Sequence, residues 1–114
     1  MSDLVDDFNS YRSKMNDKIL GENSKIIKRI FNLDANTYKK GTLDVATKEL
    51  MGLVASTVLR CDDCIRYHLE ECHKNKVEKA AVIESLEIAT LVGGTIVIPH
   101  LRRAFEYWDA LENK

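Results

Sequence analysis

At 114 residues the chain is long enough to bury one hydrophobic core without a disulfide or metal staple, and its hydrophobic fraction of 45% is that of an ordinary globular protein. Lys and Arg number 17 against 18 Asp and Glu, a formal net charge of -1, which excludes the basic footprint of a nucleic-acid binder. The opening Met1-Ser2-Asp3-Leu4-Val5-Asp6-Asp7-Phe8 lacks a basic stretch followed by an apolar run, and every apolar tract is broken by charge before bilayer length. Neither a secretory signal nor a membrane span is expected, and the chain reads as cytoplasmic.

Helical periodicity runs from end to end, with no alternating stretch that reads as a strand, so the expected fold is all-α, six helices in a single domain over 1–114. The first helix, 3–19, spaces Leu4, Val5, Phe8, Tyr11, Met15 and Ile19 along one face, with Ser2 as its cap and Gly21 as its stop. The second starts near Ser24 and carries Ile26, Ile27, Ile30, Phe31 and Leu33; Gly41 marks the turn after it. Asp44 is placed as N-cap of the third, 45–59, in which Glu49 falls inside the apolar arc between Val45 and Leu53. The fourth runs from Cys61 to Lys74, and the fifth covers 78–92 and stops at Gly93-Gly94. The last, 96–112, tolerates Pro99 in or beside its first turn, where an N–H is dispensable. Apolar stripes such as Leu4, Phe8, Tyr11 and Met15 exceed what a six-helix monomer covers, which predicts a homo-oligomer.

The chemistry gathers in residues 49–68. Cys61 and Cys64 are separated by two residues and His68 follows four further on, so at about 100° per residue the three share one stripe of a helix. With Cys61 at the helix N-terminus the pair reads as an exchangeable dithiol. Cys64, one turn in and beside His68, is assigned as the thiolate that meets the oxidant, its pKa lowered by the histidine. Cys61, expected to be the more solvent-reachable, is the resolving thiol. Glu49, a carboxylate short of hydration, is expected to exchange a proton near neutrality and to orient His68. Cys72 reads as core filler, His73 as a surface residue, and Tyr107 and Trp108 as core. His100 is undecided, and Asp62 and Asp63 need no role beyond complementing the helix terminus.

No metal or cofactor is expected. Cys61, Cys64, His68 and Cys72 lie along one straight stripe that cannot surround a zinc ion, which leaves only a site shared between subunits. Ile65 rather than His follows Cys64, against covalent haem, and the absence of a preceding strand is against a thioredoxin fold.

Leu43-Asp44-x-x-Thr47-Lys48-Glu49-Leu50, then Glu49-x11-Cys61-x2-Cys64-x3-His68, then Gly93-Gly94, resembles the carboxymuconolactone decarboxylase family over about 42–105, and within it the alkylhydroperoxidase D-like branch. The resemblance implies a helical subunit assembled as a trimer or hexamer. It also implies thiol peroxidase or disulfide-exchange activity, with Cys64 reacting with peroxide, Cys61 closing the disulfide, and Glu49 with His68 relaying protons. It implies as partners a peroxide substrate and a lipoyl-type dithiol reductant or a peroxiredoxin. Peroxidase members carry a histidine directly before the second cysteine where this chain has Asp63, an acid that opposes thiolate formation if it faces the sulfur. The alternatives are a lactone decarboxylase using the same pocket and a non-catalytic oligomeric binding protein.

Overall fold

The computed structural model describes residues 3–114, so the expected cap Ser2 lies outside the described residues. Six α-helices appear in the expected order: α1 Asp3–Gly21, α2 Lys25–Thr37, α3 Val45–Val58, α4 Asp62–Lys74, α5 Lys79–Gly93 and α6 Ile98–Glu112, with a 3-10 turn Thr95–Val97 before the last. That turn is the one clear departure from the expected 96–112 helix. Gly94 takes φ +86°, and Pro99 sits in the first turn of α6, where its missing N–H leaves no gap in the helical ladder.

The starts of the helices are chemically explicit. Ser24 Oγ accepts the N–H of Ile27 at 3.2 Å and Asp44 Oδ1 accepts that of Thr47 at 2.8 Å, each satisfying a donor with no partner inside its helix. The same Thr47 contacts hold the Asp44 carboxyl below its ordinary pKa. At α4 the cap is a sulfur: Cys61 Sγ accepts the N–H of Cys64 at 3.4 Å. Asp62 and Asp63 follow in the first turn, and His73 and Lys74 close the last, the order that the helix dipole favours.

The core is drawn from every helix but α2. Val5, Leu53, Ile65, Leu69, Cys72, Val82, Leu86, Ala104, Tyr107, Trp108, Ala110 and Leu111 form one buried cluster, with Leu4 and Phe8 half-buried against it. Full burial of side chains the size of Leu53, Ile65 and Leu69 is worth about 1.5–3 kcal/mol each. Packing is heaviest where α3 meets α4 and α5, and where α4 meets α6, while α1 lies against α6. Cys72 and Trp108 are core residues as expected. By contrast α2 buries nothing, and its Ile26, Ile30 and Leu33 stand 63%, 58% and 68% exposed.

The reversal between α3 and α4 positions the chemistry. Arg60 takes the left-handed φ of +61°, at a cost of about 1 kcal/mol for a residue with a side chain. In return its N–H bonds to Thr57 O and that of Cys61 to Ser56 O, both at 3.0 Å. The tight closure folds α4 back along α3 and brings the Glu49 turn against the His68 turn.

Candidate active site

Glu49 and His68 come from helices separated by one short reversal, and both are almost completely buried, at 2% and 7% exposure. His68 Nδ1 lies 2.7 Å from Glu49 Oε1. A carboxylate can only accept, so the imidazole donates from Nδ1 and its Nε2 is left to take or give a proton. The ring has little freedom. A Cβ on Gly52 would fall 2.6 Å from its Cε1 and 2.8 Å from its Nε2, so the imidazole rests directly on the bare backbone of α3. Tyr38, at the end of α2, and Tyr67 stand with ring centroids 5.2 and 5.3 Å from it.

The thiols form the second half of the site. Cys61 Sγ and Cys64 Sγ are 2.8 Å apart, both free, at the start of α4. Cys64 and His68 line one open cleft of about 340 Å³ with Asp63, Tyr67, Asp34 and the α1 residues Phe8, Tyr11, Arg12, Met15 and Asn16. The expected meeting of all three side chains is thus only partly realised. The sulfurs meet each other, while the imidazole bonds to Glu49, and no hydrogen bond joins it to either sulfur among the described residues.

Two expectations are corrected. Cys64, not Cys61, is the exposed thiol: Cys61 is half-buried because its sulfur turns back to cap α4, whereas Cys64 faces the cleft. The Cys64 thiol is also not lowered by His68 but pushed up to about 11. Desolvation by the walls around the sulfur is the largest cause, followed by the contact with Cys61 and the negative charges of Cys61, Asp63 and Asp34. Cys72, buried in the core and pushed up to about 12 by desolvation, takes no part in the site.

His100, undecided from sequence, finds its partner across the fold. Its Nδ1 lies 2.8 Å from Asp62 Oδ1, and Arg103 Nε donates to Asp62 Oδ2 at 2.8 Å. Burial works to raise the Asp62 pKa, but the bonds from His100 and Arg103 outweigh it and hold the carboxyl below its ordinary value. The first of the two residues between the cysteines is thereby tied to the first turns of α6. His73, expected at the surface, is half-buried with its ring edge on Trp108 and its Nε2 3.4 Å from the Glu112 carboxylate.

Sequence reasoning passed over Gly52, Tyr38, Tyr67 and the α1 wall. Only Gly52 left a usable signal: a glycine inside an apolar helix costs about 1 kcal/mol against alanine, so it calls for a close approach by something.

With this geometry in hand, comparison with known proteins is decisive. The sequence model of the carboxymuconolactone decarboxylase family matches residues 25–107. The chain belongs to that family. It superposes on the crystal structure of TM1620 from Thermotoga maritima with a TM-score of 0.93 and 53% identity, covering 95% of each chain. A second structure of TM1620, described as a family protein with a possible role in the antioxidative response, gives 0.90 and 52%, covering 94% of this chain and 91% of that one. A family protein of Legionella pneumophila, lpg0406 in its apo form, has the same fold at a TM-score of 0.85 but only 22% identity, covering 94% and 96%. An uncharacterized protein of Cupriavidus necator is 30% identical over 71 residues, a stretch spanning 62% of this chain and 63% of that protein. Among the described residues no helix is long and apolar enough to cross a membrane.

Proposed function

We propose that this family member is a thiol-dependent peroxidase that works through a Cys61–Cys64 disulfide, with the Glu49–His68 pair moving the protons. The observation that carries the reading is the 2.8 Å approach of two free sulfurs at a cleft whose wall includes a histidine already bonded to a buried carboxylate. The link of TM1620 to an antioxidative response supports the same direction.

The chemistry balances with these groups and an external dithiol. His68 takes the Cys64 proton at Nε2, and the sulfur attacks the terminal peroxide oxygen. The O–O bond breaks, an S–O bond forms, and the departing alkoxide leaves as an alcohol with the proton returned by His68. Cys61 then attacks the sulfenic sulfur, water leaves, and the disulfide closes. A dithiol donor, for which a lipoyl-type protein fits, supplies two electrons and two protons to reopen it, and the restored dithiol can relay those electrons to a peroxiredoxin. The base is essential here. With the Cys64 thiol pushed up to about 11, little of it is free thiolate at neutral pH. Activity is therefore expected to climb from pH 7 to pH 9.

The test is peroxide consumption with a dithiol donor, which Cys64→Ser should abolish. An unchanged rate in that variant sinks the reading. The buried Glu49–His68 acid–base pair could also serve lactone decarboxylation, which needs no thiol. Activity on a lactone acid retained in a Cys61→Ser, Cys64→Ser double variant would favour that alternative.

The exposed apolar face of α2 and the surface formed by Leu91, Val92 and Ile96, at 85%, 68% and 57% exposure, support a homo-oligomer, a trimer or hexamer. A monomer mass by light scattering would refute it. Free thiols in this arrangement suit a reducing, cytoplasmic setting.

A further inference from the structure

Asp62 lies between the two cysteines, yet its carboxylate reaches across to α6. His100 Nδ1 and Arg103 Nε take one oxygen each at 2.8 Å, from positions 38 and 41 residues further along the chain. We propose that Asp62, His100 and Arg103 are positioning residues for the redox couple: they hold the first turn of α4 while the Cys61–Cys64 disulfide closes, and so make that disulfide easier to form and harder to reduce. The proposal rests on the disulfide step of the reading above.

The need for such a hold comes from the helix start. The N–H groups of a first helical turn have no acceptor inside the helix. In the dithiol, Cys61 Sγ supplies one by accepting from the Cys64 N–H at 3.4 Å. Closing the disulfide takes a proton from each sulfur and two electrons from the pair, which pass to the oxidant, and joins Cys61 Sγ to Cys64 Sγ. The Cys61 sulfur must then follow that bond instead of the N–H, so the turn loses its cap when the two backbones most need to be held. Cys61 is fixed on its other side, its N–H bonded to Ser56 O at 3.0 Å. Asp62 follows directly, and its bonds to α6 involve neither sulfur, so they persist when the cap is lost.

The anchor on α6 is firm. Val97 and Ala104, which flank His100 and Arg103 in the chain, are buried. The Asp62 and His100 side chains are 29% and 16% exposed, so their bond is shielded from much of the water that weakens surface pairs. Position and charge also make opposite predictions. Removing the donors while keeping Asp62 leaves its negative charge less compensated beside the thiols, which disfavours thiolate and so works toward the disulfide. Loss of position works against it.

The experiment equilibrates the full-length protein with graded ratios of oxidised to reduced dithiothreitol at neutral pH, then counts the disulfide by mass after acid quenching and N-ethylmaleimide. In a His100→Leu, Arg103→Leu double variant the equilibrium constant for the disulfide should fall about tenfold against wild type, a potential about 30 mV more oxidising. His100→Gln, whose amide can donate to Asp62, should stay within about twofold. By linkage, the double variant should lose more melting temperature in the oxidised protein than in the reduced one, a difference that a contact serving the fold alone would not show. If the double variant does not melt cooperatively, His100→Leu alone carries the test, with a fall of about threefold. An unchanged or higher constant in these leucine variants, or a glutamine variant as low as the double one, overturns the proposal and leaves the peroxidase reading standing. A wild type that forms no Cys61–Cys64 disulfide overturns both.

Discussion

The two halves of the site are built on opposite terms. Glu49 and His68 are buried, bonded at 2.7 Å and boxed in by Gly52, Tyr38 and Tyr67. The sulfurs, 2.8 Å apart, sit at a helix start, one half-buried and the other open to the cleft. On the proposed mechanism the contrast follows from what each half must do. A proton relay works best in fixed geometry and poor solvation, whereas a dithiol has to meet both an oxidant and a reductant from outside. Stability and reactivity should therefore separate between the halves.

Removing Glu49 offers the largest test of that separation. Glu49→Ala leaves a buried imidazole without its partner and should cost about 3 kcal/mol of folding stability, read by urea unfolding. Cys61→Ser, at the exposed half, should stay within about 1 kcal/mol while losing turnover. Equal losses in the two variants would erase the distinction.

Gly52→Ala comes next. The added methyl meets the imidazole, so the ring must shift, and turnover should fall by about tenfold or more while the alkylation rate of Cys64 by iodoacetamide stays near wild type. Stability should move by only about 1 kcal/mol, because overpacking is partly offset by alanine's better helix propensity.

Asp63→Asn removes one of the charges that raise the Cys64 thiol. Asp63 is largely exposed, so the effect is screened: the alkylation rate of Cys64 at neutral pH should rise by about threefold, with its pH profile displaced downward. Smallest is Arg103→Ala, which should cost under about 1 kcal/mol. The Asp62 carboxyl is depressed in the folded state. Its contribution is therefore present above the ordinary carboxylate pKa and lost as the pH falls through the depressed one. The difference between this variant and wild type, seen in melts at pH 6, should shrink in acid.

Much of this architecture is written locally. Six helices, the caps at Ser24 and Asp44, the core role of Cys72 and the inward position of Glu49 all follow from periodicity and capping chemistry, which act over a few residues. The pairing of Glu49 with His68 was also within reach, because one short reversal separates their helices.

What the fold alone decided is everything that depends on a group's neighbours. That Cys64 is the open thiol, with a raised rather than lowered pKa, depends on where Cys61 turns its sulfur and which acids stand nearby. Helix α1 as a cleft wall, Tyr38 against the imidazole, and His100 and Arg103 on Asp62 are contacts between stretches remote in the chain. A helix face announces that it will be covered but not by what. Solvation and Coulomb energies, which set reactivity, are properties of that covering.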